Sequence, residues 1–167
     1  MCYILRKMII IKIIQMKNFI FLTLFTVFSI SASAQTENPK YDKALADSLG
    51  GDEYGMKPYV LVILKSGTNK TADKATVDSL FNGHMANINR LVGEGLLVVA
   101  GPLQKNEKSY RGIFILNVKT IDEANKLVRT DPAIQAKLLD TELYVWYGSA
   151  ALPLYLKSHE RVEKKKF

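Results

Sequence analysis

The sequence predicts an α+β fold in which strands and helices follow the order βαββαβ. Two observations carry this prediction. The apolar, β-branched run Pro58–Lys65 is closed by a turn-forming SGTN segment, which indicates a central strand buried on both faces. A later segment places one histidine among apolar residues at helical spacing, which predicts an amphipathic helix: Leu80, His84, Ile88 and Leu91.

Ahead of these elements, the N-terminus carries the pattern of an export signal. Lys17 precedes an uncharged apolar run over 19–30, and an A-x-A motif ends at Ala34. The run is too short for a comfortable membrane span. We therefore expect a signal peptide over residues 1–34, translation from Met16, and a periplasmic or secreted protein; an uncleaved N-terminal anchor is the alternative.

Cleavage after Ala34 would leave about one domain's worth of chain and lower its charge. The removed segment holds four of the 23 basic residues and no acidic one, so the net charge falls from +7 to +3. It also holds Cys2, the single cysteine, so the mature chain has no disulfide and no thiol nucleophile. The remaining basic excess lies in a tail over 149–167, which predicts a solvated end rather than a nucleic-acid site.

A polar lead-in over 35–56 precedes the predicted strands and helices of the domain. Within it, residues 41–49 predict a short helix that ends at a glycine pair. The domain itself is expected over 57–148. Its first helix spans 73–94 and ends at Gly95, because glycine suits the left-handed position after a helix.

Two further strands are predicted over 96–100 and 110–118, paired antiparallel across a polar loop. Gly101-Pro102 predicts a turn that stops the first of these strands. Thr120 and Glu123 then have the spacing of a capping box, which marks the start of a second helix.

The second helix is expected to reach about Arg129, and Pro132–Leu139 adds a helical turn with proline in its first position. A last strand over 142–147 contains the only tryptophan. This order is the ferredoxin-like arrangement, an antiparallel sheet with helices on one face. Because the other apolar face is then uncovered, we expect a symmetric homodimer that packs through the sheets.

Three positions in this layout are chemically suggestive: His84 in the helix, the turn at Gly101-Pro102, and Asp131 ahead of a proline. From the residues alone, His84 is either a hydrogen-bonded core histidine or part of a chemical site. Asp131 also has two interpretations, because an aspartate before proline is an ordinary helix cap as well as a candidate for the chemical site.

Taken together, these residues resemble the YCII-related domain family. The resemblance is carried by HMANINRL at 84–91, GEGLLVVAGPL at 93–103, DEA at 122–124 and TDP at 130–132, and it spans roughly 58–146. It implies a dimeric α+β barrel in which the residues corresponding to His84 and Asp131 form the proposed active-site pair.

A carboxylate bonded to one imidazole nitrogen fixes the tautomer and leaves the other nitrogen to take or give a proton. Family members resemble muconolactone isomerases in fold, and one branch eliminates chloride from a chlorinated lactone. The resemblance therefore implies an isomerase-like or lyase-like acid–base enzyme, without cofactor or metal, that acts on a small carbonyl or lactone compound. The alternative is a dimeric module that binds a small ligand or is structural and has no catalytic role.

Four other residues rank below this pair. Trp146 and Tyr147 are candidates to line a pocket, although aromatic strand residues are more often core or interface. Arg111 is a candidate for an anionic substrate, with an ordinary exposed strand end as the alternative. His159 is expected at the surface, because two histidines are too few for a metal site.

Overall fold

A computed structural model of the chain describes residues 38–165. The predicted signal peptide, its cleavage site and Met16 lie outside the described residues. The chain divides into two compact units, 1–41 and 42–167. Of the first unit, the described residues form a turn in which the Tyr41 amide donates to the Asn38 carbonyl at 3.0 Å.

The second unit contains one sheet and its helices. The strands are β1 Met56–Ser66, β2 Leu97–Pro102, β3 Tyr110–Leu116 and β4 Leu139–Ser149. The helices are α1 Lys43–Leu49, α2 Lys74–Gly93, α3 Ile121–Val128, α4 Pro132–Gln135 and α5 Leu156–Val162, with a 3-10 helix over Leu152–Tyr155. No helix in this described part of the chain is long and apolar enough to cross a membrane.

The four strands are ordered β2-β3-β1-β4, and all neighbours are antiparallel. With α2 and α3 as the connections, this is the predicted ferredoxin-like α+β fold. In register, Val60 faces Leu116 and Val62 faces Phe114. These side chains and those of the helices form the core, so the helices cover one face of the sheet.

Helix α2 begins and ends at the predicted residues. Asp73 is the N-cap, and its side chain accepts from the Thr76 amide at 2.9 Å. At the other end, Gly95 has a φ of 70°, the Leu96 amide donates to the Leu91 carbonyl, and the Gly95 amide donates to Val92. This pair of bonds is a Schellman motif, which satisfies carbonyls that the helix leaves free.

The capping box of α3 is also present. Thr120 accepts from the Glu123 amide at 3.2 Å, and the Glu123 carboxylate accepts from the Thr120 amide at 3.0 Å. The predicted turn at Pro132 is the short helix α4, with proline in its first turn.

Two predictions of detail were wrong. The second face of β1 is buried at Tyr59 but only half-buried at Leu61 and Ile63, which face away from the helices. Gly101-Pro102 forms the last two residues of β2 instead of a turn after it, because its backbone pairs with β3. The sequence made no prediction of structure for the tail, in which 152–162 is helical and the Tyr155 hydroxyl donates to the Val98 carbonyl of β2.

Candidate functional site

His84 lies on the face of α2 that packs against the sheet, with 8% of the residue exposed. Its ring stacks on Phe114 of β3, with the ring centroids 5.9 Å apart and the planes 23° apart. Phe81, one turn earlier in α2, meets the same ring edge-on at 5.9 Å. Two aromatic rings therefore fix the orientation of the imidazole in an apolar setting.

Asp131 is fully buried at the start of α4. Its Oδ1 accepts from the Ala133 amide at 2.9 Å and from the Ile134 amide at 3.4 Å, which is the geometry of a helix cap. Its Oδ2 lies 2.6 Å from Nδ1 of His84. Asp131 is therefore both a helix cap and the partner of the histidine, the two roles that the sequence left open.

The hydrogen-bond partners decide which imidazole nitrogen carries the proton. Asp131 already accepts from backbone amides, so its carboxylate is best satisfied by a third donor. We therefore assign the proton to Nδ1 of His84, which leaves a lone pair on Nε2.

Nε2 of His84 has no hydrogen-bond partner among the described residues, where every fully buried side-chain nitrogen or oxygen has one. Nε2 is therefore not sealed from solvent. A tenth of the His84 side chain remains exposed, and the unprotonated nitrogen is part of it.

A second set of contacts fixes the Thr130–Pro132 corner to α2. Asn87, one turn after His84 and also buried, accepts from Arg90 at 2.9 Å and from the Thr130 hydroxyl at 2.9 Å. Arg90 also donates to Thr130 at 3.0 Å. The corner that holds Asp131 is thus tied to the same helix as His84.

Gly83 allows that corner to approach. A Cβ at position 83 would lie 2.9 Å from Cγ of Pro132, closer than real side chains pack. Sequence analysis missed Gly83, Asn87 and Arg90 as residues of this site. A glycine in the middle of a helix was the available signal, because it usually marks a close packing contact.

The lower-ranked candidates lie away from the pair. Trp146 packs on Tyr59 with ring centroids 5.7 Å apart, on the sheet face opposite to the helices. The Tyr147 hydroxyl donates to Asp52, which raises the pKa of Tyr147 to about 12. Arg111 is exposed, and so is His159, whose ring meets that of Tyr155 at 6.3 Å.

No group of three or more His, Cys, Asp or Glu residues within 38–165 is arranged to hold a metal ion. The absence of a cofactor stays a prediction. A cavity of about 240 Å³ opens elsewhere, at the end of the sheet where β1 begins, and neither His84 nor Asp131 lines it.

No model of a known protein family matches the sequence, and no curated protein matches it. Among solved structures the chain is similar to 5-chloro-2-hydroxyhydroquinone dehydrochlorinase from Burkholderia phenoliruptrix AC1100, in complex with 2,5-dihydroxybenzoquinone. The two are 21% identical over 52% of this chain and 92% of that chain, with a TM-score of 0.38. A similarity at this level carries no argument about family or activity, so membership of the YCII-related family stays a prediction from the sequence motifs.

Proposed function

We propose that this protein is a small-molecule enzyme of the YCII type in which His84 and Asp131 transfer a proton. One observation carries the proposal: Nδ1 of His84 is 2.6 Å from a buried carboxylate while Nε2 is free and reaches solvent. Such an arrangement suits general acid–base catalysis, because the carboxylate orients the ring and stabilises the imidazolium that forms.

The reaction class that fits is removal of a proton from carbon next to a carbonyl or lactone group. Nε2 of His84 takes the proton, and the electrons of the broken C–H bond enter the conjugated enolate. The intermediate then either regains the proton from His84 at another carbon, which is isomerisation, or expels a leaving group with its electron pair, which is elimination. Isomerisation returns the proton of His84 to the substrate, whereas elimination leaves it on Nε2, from which it passes to the leaving group or to solvent.

Export and dimerisation belong to the same proposal. The sequence before residue 35 supports export to the periplasm or the medium. The sheet face opposite to the helices supports a homodimer, since it carries half-buried or exposed apolar and aromatic side chains: Leu61, Ile63, Ile113, Ile115, Tyr144 and Trp146. Size-exclusion chromatography with light scattering tests this, and a stable monomer would contradict it.

A non-catalytic ligand-binding or structural role is the second candidate. The observation that favours it is the separation between the described cavity of about 240 Å³ and the His84–Asp131 pair. In that case the pair would only anchor α4 on α2.

A deuterium-exchange screen separates the two candidates without knowledge of the product. Lactones and small keto acids are incubated with the protein in D₂O, and loss of the C–H signal is followed by proton NMR. We expect exchange with the wild type and a loss of about 10²- to 10⁴-fold in His84→Gln and Asp131→Asn. Asparagine at 131 retains an oxygen that can cap α4.

Two matched variants control for nonspecific effects. Asp73→Asn makes the same change in the cap of α2, where no histidine is bonded, and His159→Gln changes the exposed histidine. Both should exchange like the wild type. Exchange that persists in His84→Gln would remove the proposed base.

A further inference from the structure

We propose that the cavity at the end of the sheet binds a small organic anion, independently of the His84–Asp131 pair. The cavity, which we call the lysine notch, lies between the end of α1, the start of β1 and the chain after β3. Its lining comprises Leu49, Gly50, Lys57, Pro58 and residues 117–119. The anion would carry a carboxylate or phosphate group on a compact apolar body.

The charges of the notch are all positive. Lys57 and Lys119 line it, and no carboxylate does. Both lysines line the same small cavity, and the charge of Lys119 acts on Lys57. Like charges at one cavity are destabilising, unless an anion lies between them.

Neither lysine makes an ion pair within 4.0 Å in the described part of the chain. Glu123 acts on Lys119 through its charge only, because its Oε2 accepts from the backbone amides of Lys119 and Thr120. Burial and the charge of Lys119 together lower the pKa of Lys57, as expected for an ammonium that lacks a counter-ion.

The walls of the notch define the rest of the ligand. Leu49, Pro58 and Val118 present apolar surface to the notch. A cavity of about 240 Å³ is below the range of about 300–1,000 Å³ that holds drug-sized ligands. The notch therefore fits a compact molecule such as an aromatic carboxylate.

Sodium benzoate is the probe, with uncharged benzamide as its matched control. The purified protein is titrated at constant ionic strength while the amide proton and nitrogen shifts are followed by NMR. We expect saturable benzoate shifts at residues 49, 50 and 117–119, and no such shifts with benzamide. The double variant Lys57→Gln/Lys119→Gln should bind benzoate at least about tenfold more weakly.

Two further variants control for misfolding and for a nonspecific loss of positive charge. Lys119→Gln alone changes an exposed side chain and should weaken binding by a smaller factor without a folding defect. The double variant Lys70→Gln/Lys105→Gln removes two exposed lysines outside the notch and should bind like the wild type. Equal shifts with benzamide, no saturable shift at the notch, or undiminished binding by the notch variants would overturn the proposal.

Discussion

Two side-chain pairs, each with one carboxylate and of nearly equal length, lie on opposite faces of one sheet. Nδ1 of His84 is 2.6 Å from Asp131 on the helix-covered face, and Nζ of Lys65 is 2.7 Å from Glu142 on the open face. Asp131 is fully buried, whereas the Lys65 and Glu142 side chains are 27% and 32% exposed. Within a single chain, water reaches Lys65 and Glu142 but does not reach Asp131.

The difference shows that the distance between two side chains does not determine how much their interaction contributes to stability. Asp131 also accepts hydrogen bonds from two backbone amides of α4. The adjacent Thr130 donates to Asn87, which links this corner to α2. Glu142 accepts from Lys65 and, at 3.1 Å, from the Tyr144 hydroxyl, and all three groups are in contact with solvent. We therefore expect the His84–Asp131 pair to contribute to folding and chemistry. The Lys65–Glu142 pair should contribute only to local order.

The largest effect is expected from Asp131→Ala. It leaves the buried His84 Nδ1 proton without an acceptor and removes the cap of α4, so the free energy of unfolding should fall by about 2–5 kcal/mol. Urea unfolding measures it. Asp73→Ala removes only the cap of α2 and should cost clearly less. Equal losses of unfolding free energy in the two variants would contradict this, because Asp131 would then stabilise the protein only as a helix cap.

An intermediate effect is expected from Gly83→Ala, which tests whether the corner must touch α2. The added methyl group meets Pro132, and overpacking of about 1–3 kcal/mol outweighs a gain of about 1 kcal/mol in helix propensity. Gly93→Ala, at the end of the same helix, meets no described atom within 4 Å and should be neutral or stabilising. A stabilising Gly83→Ala would contradict the close packing of Pro132.

The smallest effect is expected from Glu142→Gln on the open face, and it should depend on pH. The hydrogen bond from Lys65 lowers the pKa of Glu142 below its ordinary value of 4.5. The contribution of Glu142 to stability is therefore fully present above pH 4.5 and is lost as the pH falls through the lowered pKa.

Chemical denaturation of Glu142→Gln and wild type across this range measures the difference. Asp140→Asn is the matched control, because Asp140 faces Lys65 in register without an ion pair to it within 4.0 Å. A difference for Glu142→Gln that persists unchanged at low pH would contradict the ionic origin of the effect.

The fold could be predicted because its signals are local. The stripe that contains His84, the capping box at Thr120 and the proline of α4 each depend on residues within a few positions of one another. Their order then leaves few topologies, since split βαβ units of this kind pack in one way.

The rest of the site could not be predicted because its contacts join distant parts of the chain. The bond between Asn87 and Thr130 spans 43 residues, and the Gly83–Pro132 contact is equally long-range. Periodicity places Asn87 on the inner face of α2 but does not identify its partner. The half-buried second face of β1 was likewise missed, because an apolar run does not specify what covers each face.

The tautomer of His84 tests the proposed base directly, and it is measured from the imidazole nitrogen shifts in uniformly ¹⁵N-labelled protein. We expect a protonated Nδ1 bonded to Asp131 and an Nε2 that carries no proton in the neutral ring. Exposed His159 is the internal reference, and Asp131→Asn should abolish the preference. A neutral His84 with its proton on Nε2 would contradict the claim, because the nitrogen that faces solvent could not then act as a base.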